Sequence, residues 1–327
     1  MAEPLLDVEN LRTYFFTEAG VVKAVDGVSI SLGKGETLGL VGESGSGKTV
    51  TAFSVLRIVP RPGRVIGGKV TFEGASILDL SEEEMRRIRG AKIAIIFQDP
   101  SSSLNPVYTV GSQIAEIIRH HQGLGKREAL SKAVDLLDMV GISEPETRIH
   151  QYPHQLSGGM KQRIAIARAL ACDPVLLFAD EPTTNLDVTI QAQVLELIRE
   201  LRRRLGMSLV MITHDMGIVA EMADHVTVLY AGQVCESAAT IRLFRTPRHP
   251  YTEALLRAVP RIDQRKELRV IPGNIPNLIE PPPGCRFHPR CPYARDACSQ
   301  AVPRLEEVDR GHLAACHRWR ELNLAGI

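Results

Sequence analysis

The sequence predicts an α/β fold on a mostly parallel sheet, with a small loop-rich module at its C-terminal side. Three observations lead there. Short apolar runs of strand length alternate with helix-length periodic stretches. A glycine-rich loop sits between an apolar strand and a helix. After about residue 255 the texture changes to clustered prolines and cysteines.

Composition sets the outer limits. The 327 residues are 44% apolar and 24% charged, an ordinary globular balance that buries a sizeable core without disulfides. A formal net charge of +1 leaves no global footprint for nucleic acid, so no nucleic-acid partner is expected. No apolar run approaches the roughly 18 residues that span a bilayer. Met1-Ala2-Glu3-Pro4 has neither a basic start nor an apolar stretch, so a cytoplasmic protein with reduced cysteines is expected.

The elements follow in order. Leu5–Val8 and Val28–Leu32 have strand composition, and Gly33-Lys34-Gly35 is a turn. Thr37–Val41 is an apolar strand ending in glycines. A helix starts at Lys48 and must stop near Pro60-Arg61-Pro62-Gly63. A charged helix at Glu82–Arg89 leads into a strand at Lys92–Phe97, and residues from about 100 to 170 read as mainly helical. Val175–Ala179, Ser208–Thr213 and His225–Tyr230 are further strands. Between the first two of these, Ile190, Val194, Leu197, Ile198, Leu201 and Leu205 form a helical stripe. Arg202-Arg203-Arg204 ends that helix as a solvated face, where cations offset the dipole.

Gly42-Glu43-Ser44-Gly45-Ser46-Gly47-Lys48-Thr49 fits G-x-x-x-x-G-K-[ST] without a mismatch, in strand–loop–helix context. Glycines let the backbone N–H groups curl toward phosphate oxygens, and the helix N-terminus adds its positive end. Lys48 would reach the β- and γ-phosphates of a nucleotide such as ATP, and the Thr49 hydroxyl would ligate Mg²⁺. Alone, the loop does not separate a kinase, a GTPase or a transport ATPase.

Leu156-Ser157-Gly158-Gly159-Met160-Lys161-Gln162-Arg163 resembles the signature of ABC ATPases. The resemblance implies a P-loop ABC ATPase with a parallel-sheet core, an antiparallel β subdomain and a helical subdomain. Ser157, Gly158 and Gly159 open a helix whose exposed N–H groups would meet the γ-phosphate held by a second subunit. Val175–Ala179 ends in Asp180, suited to Mg²⁺, and Glu181, which by resemblance polarises the attacking water. Gln98 resembles the Q-loop residue that touches Mg²⁺ or water. Leu186-Asp187 resembles the loop that crosses the dimer interface, with Asn185 where the family commonly has alanine. His214 resembles the switch histidine at the γ-phosphate. Phe15 lies where the family stacks an aromatic on adenine, although Tyr14 and Phe16 flank it and all three also suit a strand core.

Arg248-His249-Pro250-Tyr251-Thr252, Ile271–Pro276 and Gly284–Cys291 resemble the C-terminal extension of dipeptide and oligopeptide importer ATPases. The implied division is a nucleotide-binding domain over 1–255 and an extension over 256–327. Cys285, Cys291, Cys298 and Cys316 have the spacing C-x5-C-x6-C-x17-C. Four thiolates can close a zinc site or hold a [4Fe–4S] cluster. The close C-x2–4-C pairs of structural zinc sites are missing, and some members of this branch carry the cluster on a similar pattern. His312 and His317 could substitute as ligands; Cys172 and Cys235 read as buried small residues.

The resemblance implies Mg-ATP hydrolysis between paired ATPase subunits, the second a paralogue. It also implies two transmembrane permease subunits and an extracytoplasmic solute-binding protein, at the cytoplasmic face of the membrane. Short peptides are the expected cargo; nickel or another solute is the alternative. A soluble ABC ATPase of DNA repair or translation would show a long coiled coil or two cassettes, and neither is visible. A redox-sensing role for the cysteines is a further reading.

Overall fold

The N-terminal aromatics lie on a strand much longer than Leu5–Val8. In the structure, a computed structural model describing residues 3–184, 186–259 and 271–327, β1 (Leu6–Thr17) and β2 (Gly20–Leu32) form an antiparallel hairpin from Leu6 opposite Leu32 to Thr17 opposite Gly20. Leu6, Val8, Leu11 and Thr13 are buried while polar residues between them face outward, the alternation of a half-buried strand. Asn185 lies outside the described residues, so its departure from alanine has no structural account.

Two compact units make up the chain. One combines Met1–Leu78 with Met211–Ile327, and the other is Asp79–Val210. In the first unit the hairpin is followed by β3 (Thr37–Val41), α1 (Lys48–Val55), β4 (Gly63–Phe72) and β5 (Ala75–Ser76). The strands β2, β1, β4 and β5 lie side by side in that order as an antiparallel sheet.

The second unit holds α2 (Glu82–Ile88), β6 (Ile93–Ile96), α3 (Pro100–Ser103), α4 (Val110–Gln122), α5 (Lys126–Met139), α6 (Pro145–Arg148), α7 (Gly158–Ala169), β7 (Leu176–Asp180) and α8 (Val188–Leu205). β6 and β7 are parallel neighbours. Ser81 opens α2 with a reciprocal cap, its hydroxyl accepting from Glu84 N–H while Glu84 accepts from Ser81 N–H. The stripe on α8 is largely as expected: Val194, Ile198 and Leu201 are buried, joined by Leu195, with about 1.5–3 kcal/mol from each such side chain. Gly206, at φ 64°, ends α8 in the left-handed conformation that glycine adopts without strain.

β8 (Ser208–Thr213) carries the chain back into the first unit. There follow α9 (Met216–Met222), β9 (His225–Tyr230), β10 (Gln233–Ala239), α10 (Thr240–Arg245), α11 (Pro250–Arg257), α12 (Asp296–Gln300), β11 (Glu306–Asp309) and β12 (His312–Ala314). β3, buried along its whole length, runs parallel to β9; β10, β12 and β11 continue outward from β9 with antiparallel pairing. The C-terminal residues therefore extend the sheet that carries the glycine-rich loop. Phe287 joins the same core, its ring 5.2 Å from those of both Tyr230 and Tyr251. Contacts group these residues in one unit with the N-terminal strands. Among the described residues no helix is long and apolar enough to cross a membrane.

Candidate active site

The glycine-rich loop takes its shape from close backbone approaches. Gly42, at φ 156°, passes so near β9 that a Cβ would sit 2.1 Å from the Leu229 carbonyl oxygen. Gly47, at φ 102°, would place a Cβ 2.4 Å from the Ala24 carbonyl oxygen. Gly45 has open space around it, but its φ of 80° is one that side chains resist. Ser44 and Gly45 are exposed, whereas Ser46 is buried and its carbonyl accepts from Gly232 N–H at 2.9 Å. Lys48 folds back over the loop, donating Nζ to the carbonyls of Gly42 (2.7 Å) and Glu43 (3.0 Å). No side chain caps α1 and no acidic residue lies in its first turn. That end is therefore suited to receive an anion. Thr49 is half-buried in this first turn.

The other candidates of the first unit lie on β1 and after β8. Phe15 is half-buried, and a Cβ on Gly63 would lie 2.7 Å from its ring. Tyr14 is turned to a different task, donating to Asp26 Oδ1 at 2.6 Å; burial and this carboxylate push its phenol up to about 12. Phe16 is 46% exposed with the Arg64 guanidinium over its ring. His214 is exposed just beyond β8, and Asp215 beside it caps α9 by accepting from Gly217 N–H.

In the second unit the end of β7 carries Asp180, 2% exposed, and then Glu181 at φ 44°. A glutamate in left-handed backbone is strained, and such strain collects at functional sites. The Glu181 carboxylate oxygen Oε2 accepts from Gln98 Nε2 at 2.9 Å and from Thr184 Oγ1 at 2.9 Å. Two residues chosen separately from the sequence are thus brought together, and Thr184 is a partner that sequence reasoning missed. Its position three residues after Glu181, in a turn closed by Thr184 N–H on the Glu181 carbonyl, was the available signal.

Ser157 caps α7, its hydroxyl accepting from Met160 N–H at 3.3 Å. Gly158 is exposed with nothing near its Cβ position, while Gly159 lets α7 approach Ile190 of α8, which a Cβ would meet at 3.1 Å. Asp187 caps α8 by accepting from Ile190 N–H at 2.9 Å. Thr49, Gln98 and Asp180 offer oxygen donors, the type Mg²⁺ takes.

Two of the four C-terminal cysteines are joined through their backbones. Cys285 N–H donates to the Cys298 carbonyl at 2.8 Å, and Gly284, at φ 71°, leaves no room for a Cβ against that carbonyl. Burial first, then neighbouring thiols, push Cys285 up to about 11 and Cys316 up to about 12; Cys291 rises for the same reasons. Buried Cys235 is a fifth thiol against Cys285 and Cys316. His312 is wholly buried with Nε2 2.7 Å from Glu236, and His317 Nε2 lies 2.8 Å from the Ala301 carbonyl oxygen. Among the described residues no three His, Cys, Asp or Glu side chains are arranged to hold one metal ion.

Comparison with known proteins adds the family. The ABC transporter model matches residues 25–184, and the oligopeptide/dipeptide transporter C-terminal region matches 235–298. The chain is 51% identical over 324 residues to the probable peptide ABC transporter ATP-binding protein y4tR of Sinorhizobium fredii, covering 98% of this chain and 97% of that protein. It is 50% identical over 314 residues to the dipeptide transport ATP-binding protein DppD of Escherichia coli, covering 96% of each. The oligopeptide transport ATP-binding protein AppD of Bacillus subtilis is 48% identical over 319 residues, covering 97% of each. The dimeric, post-hydrolysis structure of the ATP-binding cassette MJ0796 bound to ADP and Pi aligns with a TM-score of 0.65 and 26% identity, over 72% of this chain and 98% of that one. Identity near one half, sustained over almost the whole length, accounts for both ends of the chain at once, and it belongs to the ABC transporter family among the ATP-binding subunits of peptide and dipeptide transporters.

Proposed function

We propose that the chain is the ATP-hydrolysing subunit of an ABC importer for dipeptides and oligopeptides. It works beside a second ATPase subunit, a paralogue, under two transmembrane permease subunits fed by an extracytoplasmic solute-binding protein. Its place is the cytoplasmic face of the membrane, held there through the permeases. The names and the near-complete coverage of the relatives support the cargo.

The observation that carries the hydrolytic reading is the Glu181 carboxylate, fixed by Gln98 and Thr184 at the end of β7. In this reading backbone N–H groups of the Gly42–Thr49 loop, other than that of Glu43, and the Lys48 ammonium bind the β- and γ-phosphates. Phe15 stacks on the base. Thr49, Asp180 and Gln98 hold Mg²⁺, which when bound offsets phosphate charge. Glu181 orients the attacking water and takes its proton, and His214 donates to the γ-phosphate. Ser157, Gly158, Gly159 and Asp187 serve the nucleotide held by the second ATPase. Replacing Glu181→Gln in the assembled transporter is expected to lower turnover by about 10²–10³-fold while ATP still binds. Undiminished hydrolysis would refute the assignment. Dipeptide uptake should vanish with it; loss of nickel uptake alone would favour the other cargo.

We also propose that Cys285, Cys291, Cys298 and Cys316 hold a [4Fe–4S] cluster. The 2.8 Å hydrogen bond from Cys285 N–H to the Cys298 carbonyl and the softness of thiolate donors support this reading. When bound, a cluster would cross-link the turn. Anaerobic purification should give a brown protein with roughly four irons per chain; a colourless one would overturn this reading.

A further inference from the structure

Glu43 adds a carboxylate to the phosphate-binding loop. The C-terminal turn answers that charge. Arg290 meets Glu43 with both terminal nitrogens, Nη1 to Oε2 at 2.7 Å and Nη2 to Oε1 at 3.0 Å. This is the paired geometry that guanidinium forms with carboxylates. The Arg290 side chain is only 5% exposed. Its remaining donors are engaged as well: Nε donates to the Pro272 carbonyl at 2.8 Å, and Nη1 also reaches Tyr230 Oη at 3.3 Å. The loop backbone is tied to the same neighbourhood, Glu43 N–H donating to Tyr251 Oη at 2.8 Å.

A second arginine does similar work four residues away by chain position. Arg286 forms an ion pair with Asp26, the carboxylate that also holds Tyr14, and donates to the Ala231 carbonyl. Asp26 N–H donates to the Gly232 carbonyl, and Gly232 N–H donates to the Ser46 carbonyl of the loop. Each arginine is a chain neighbour of a cysteine, Arg286 of Cys285 and Arg290 of Cys291.

We propose that Arg290 is a positioning residue for the phosphate loop: it neutralises and fixes Glu43, so that the short turn between Cys285 and Cys291 sets the loop's affinity for nucleotide. The inference rests on the reading of Gly42–Thr49 as the phosphate loop. Its consequence is graded by ligand charge. Without the guanidinium, an unpaired carboxylate would remain in the phosphate loop, and the penalty would rise with the number of phosphate charges.

The test is equilibrium binding of Mg-ATP and Mg-ADP to the full chain and its variants, with thermal unfolding recorded alongside. Arg290→Met is expected to weaken ATP binding about tenfold and ADP binding about threefold, less so at high salt. Adding Glu43→Gln to Arg290→Met should restore ATP affinity to within about twofold, because the stranded charge is gone. Arg290→Lys, which keeps the charge and loses the paired geometry, should leave the ATP-to-ADP preference as in the wild type. This variant and the double variant test the idea even where Arg290→Met unfolds. Equal loss for both nucleotides, or no recovery in the double variant, would make Arg290 a mere structural strut and overturn the inference. A wild-type chain that bound neither nucleotide would overturn the loop reading along with it.

Discussion

His249 offers a pH experiment whose size follows from its burial. The imidazole is 1% exposed and accepts from Tyr251 N–H through Nδ1, opening α11. Burial lowers its pKa from the ordinary 6.5 to about 3. The unfolded chain therefore takes up a proton below about 6.5 that the folded chain refuses until about 3. The stability from the neutral ring is complete above 6.5 and declines as the pH falls through that window. At about 1.36 kcal/mol per unit, the loss by pH 5 is about 2 kcal/mol. Denaturant unfolding of the wild type and of His249→Asn, each at pH 7.5 and pH 5, isolates this group; these are about the limits of the useful range. Asparagine can still cap the helix but does not titrate. The Glu236–His312 contact at 2.7 Å is present in both proteins and drops out of the difference. The variant should lose about 2 kcal/mol less than the wild type on acidification. Equal losses would refute the claim that burial keeps His249 neutral.

Three further outcomes are expected. Gly47→Ala puts a Cβ 2.4 Å from the Ala24 carbonyl at φ 102°, so ATP binding measured by titration should be lost; retained affinity would show that the curl is not required. Phe287→Ala removes a ring seated between Tyr230 and Tyr251 and should destabilise the first unit by about 3–5 kcal/mol in denaturant unfolding, with less than about 1 kcal/mol counting against this packing. Thr184→Val takes one donor from Glu181 and should lower kcat about tenfold with KM unchanged, whereas a change in KM alone would move Thr184 from positioning the carboxylate to binding nucleotide.

What could be read in advance was local. Gly42–Thr49 carries its geometry in its own glycines, and the α8 stripe is written in residues three and four apart. The strands β3, β8 and β9 are short buried runs whose composition leaves little choice. The pairing of Gln98 with Glu181 spans 83 residues, and that of Glu43 with Arg290 spans 247, so no spacing rule reaches either. β4 escaped notice because Gly63, Gly67 and Gly68 give it the texture of a turn, although it pairs along most of β1. The C-terminal residues looked separate because prolines and cysteines dominate their composition. Their attachment depends on a few side chains, Phe287, Arg286 and Arg290, whose partners lie far away in the chain.

The interrupted layout of the first unit has a consequence for biosynthesis. β3, which leads into the phosphate loop, leaves the ribosome early, but its neighbour β9 starts only at His225, and Arg290 follows later still. Such long-range pairing makes assembly slow and leaves apolar edges exposed while translation continues. A nascent chain holding only the loop motif has no β9 backbone for Gly42 to press against and no cation opposite Glu43. Nucleotide binding should therefore be acquired late in synthesis, after the Cys285–Cys291 turn has emerged, leaving unfinished chains unable to compete for ATP.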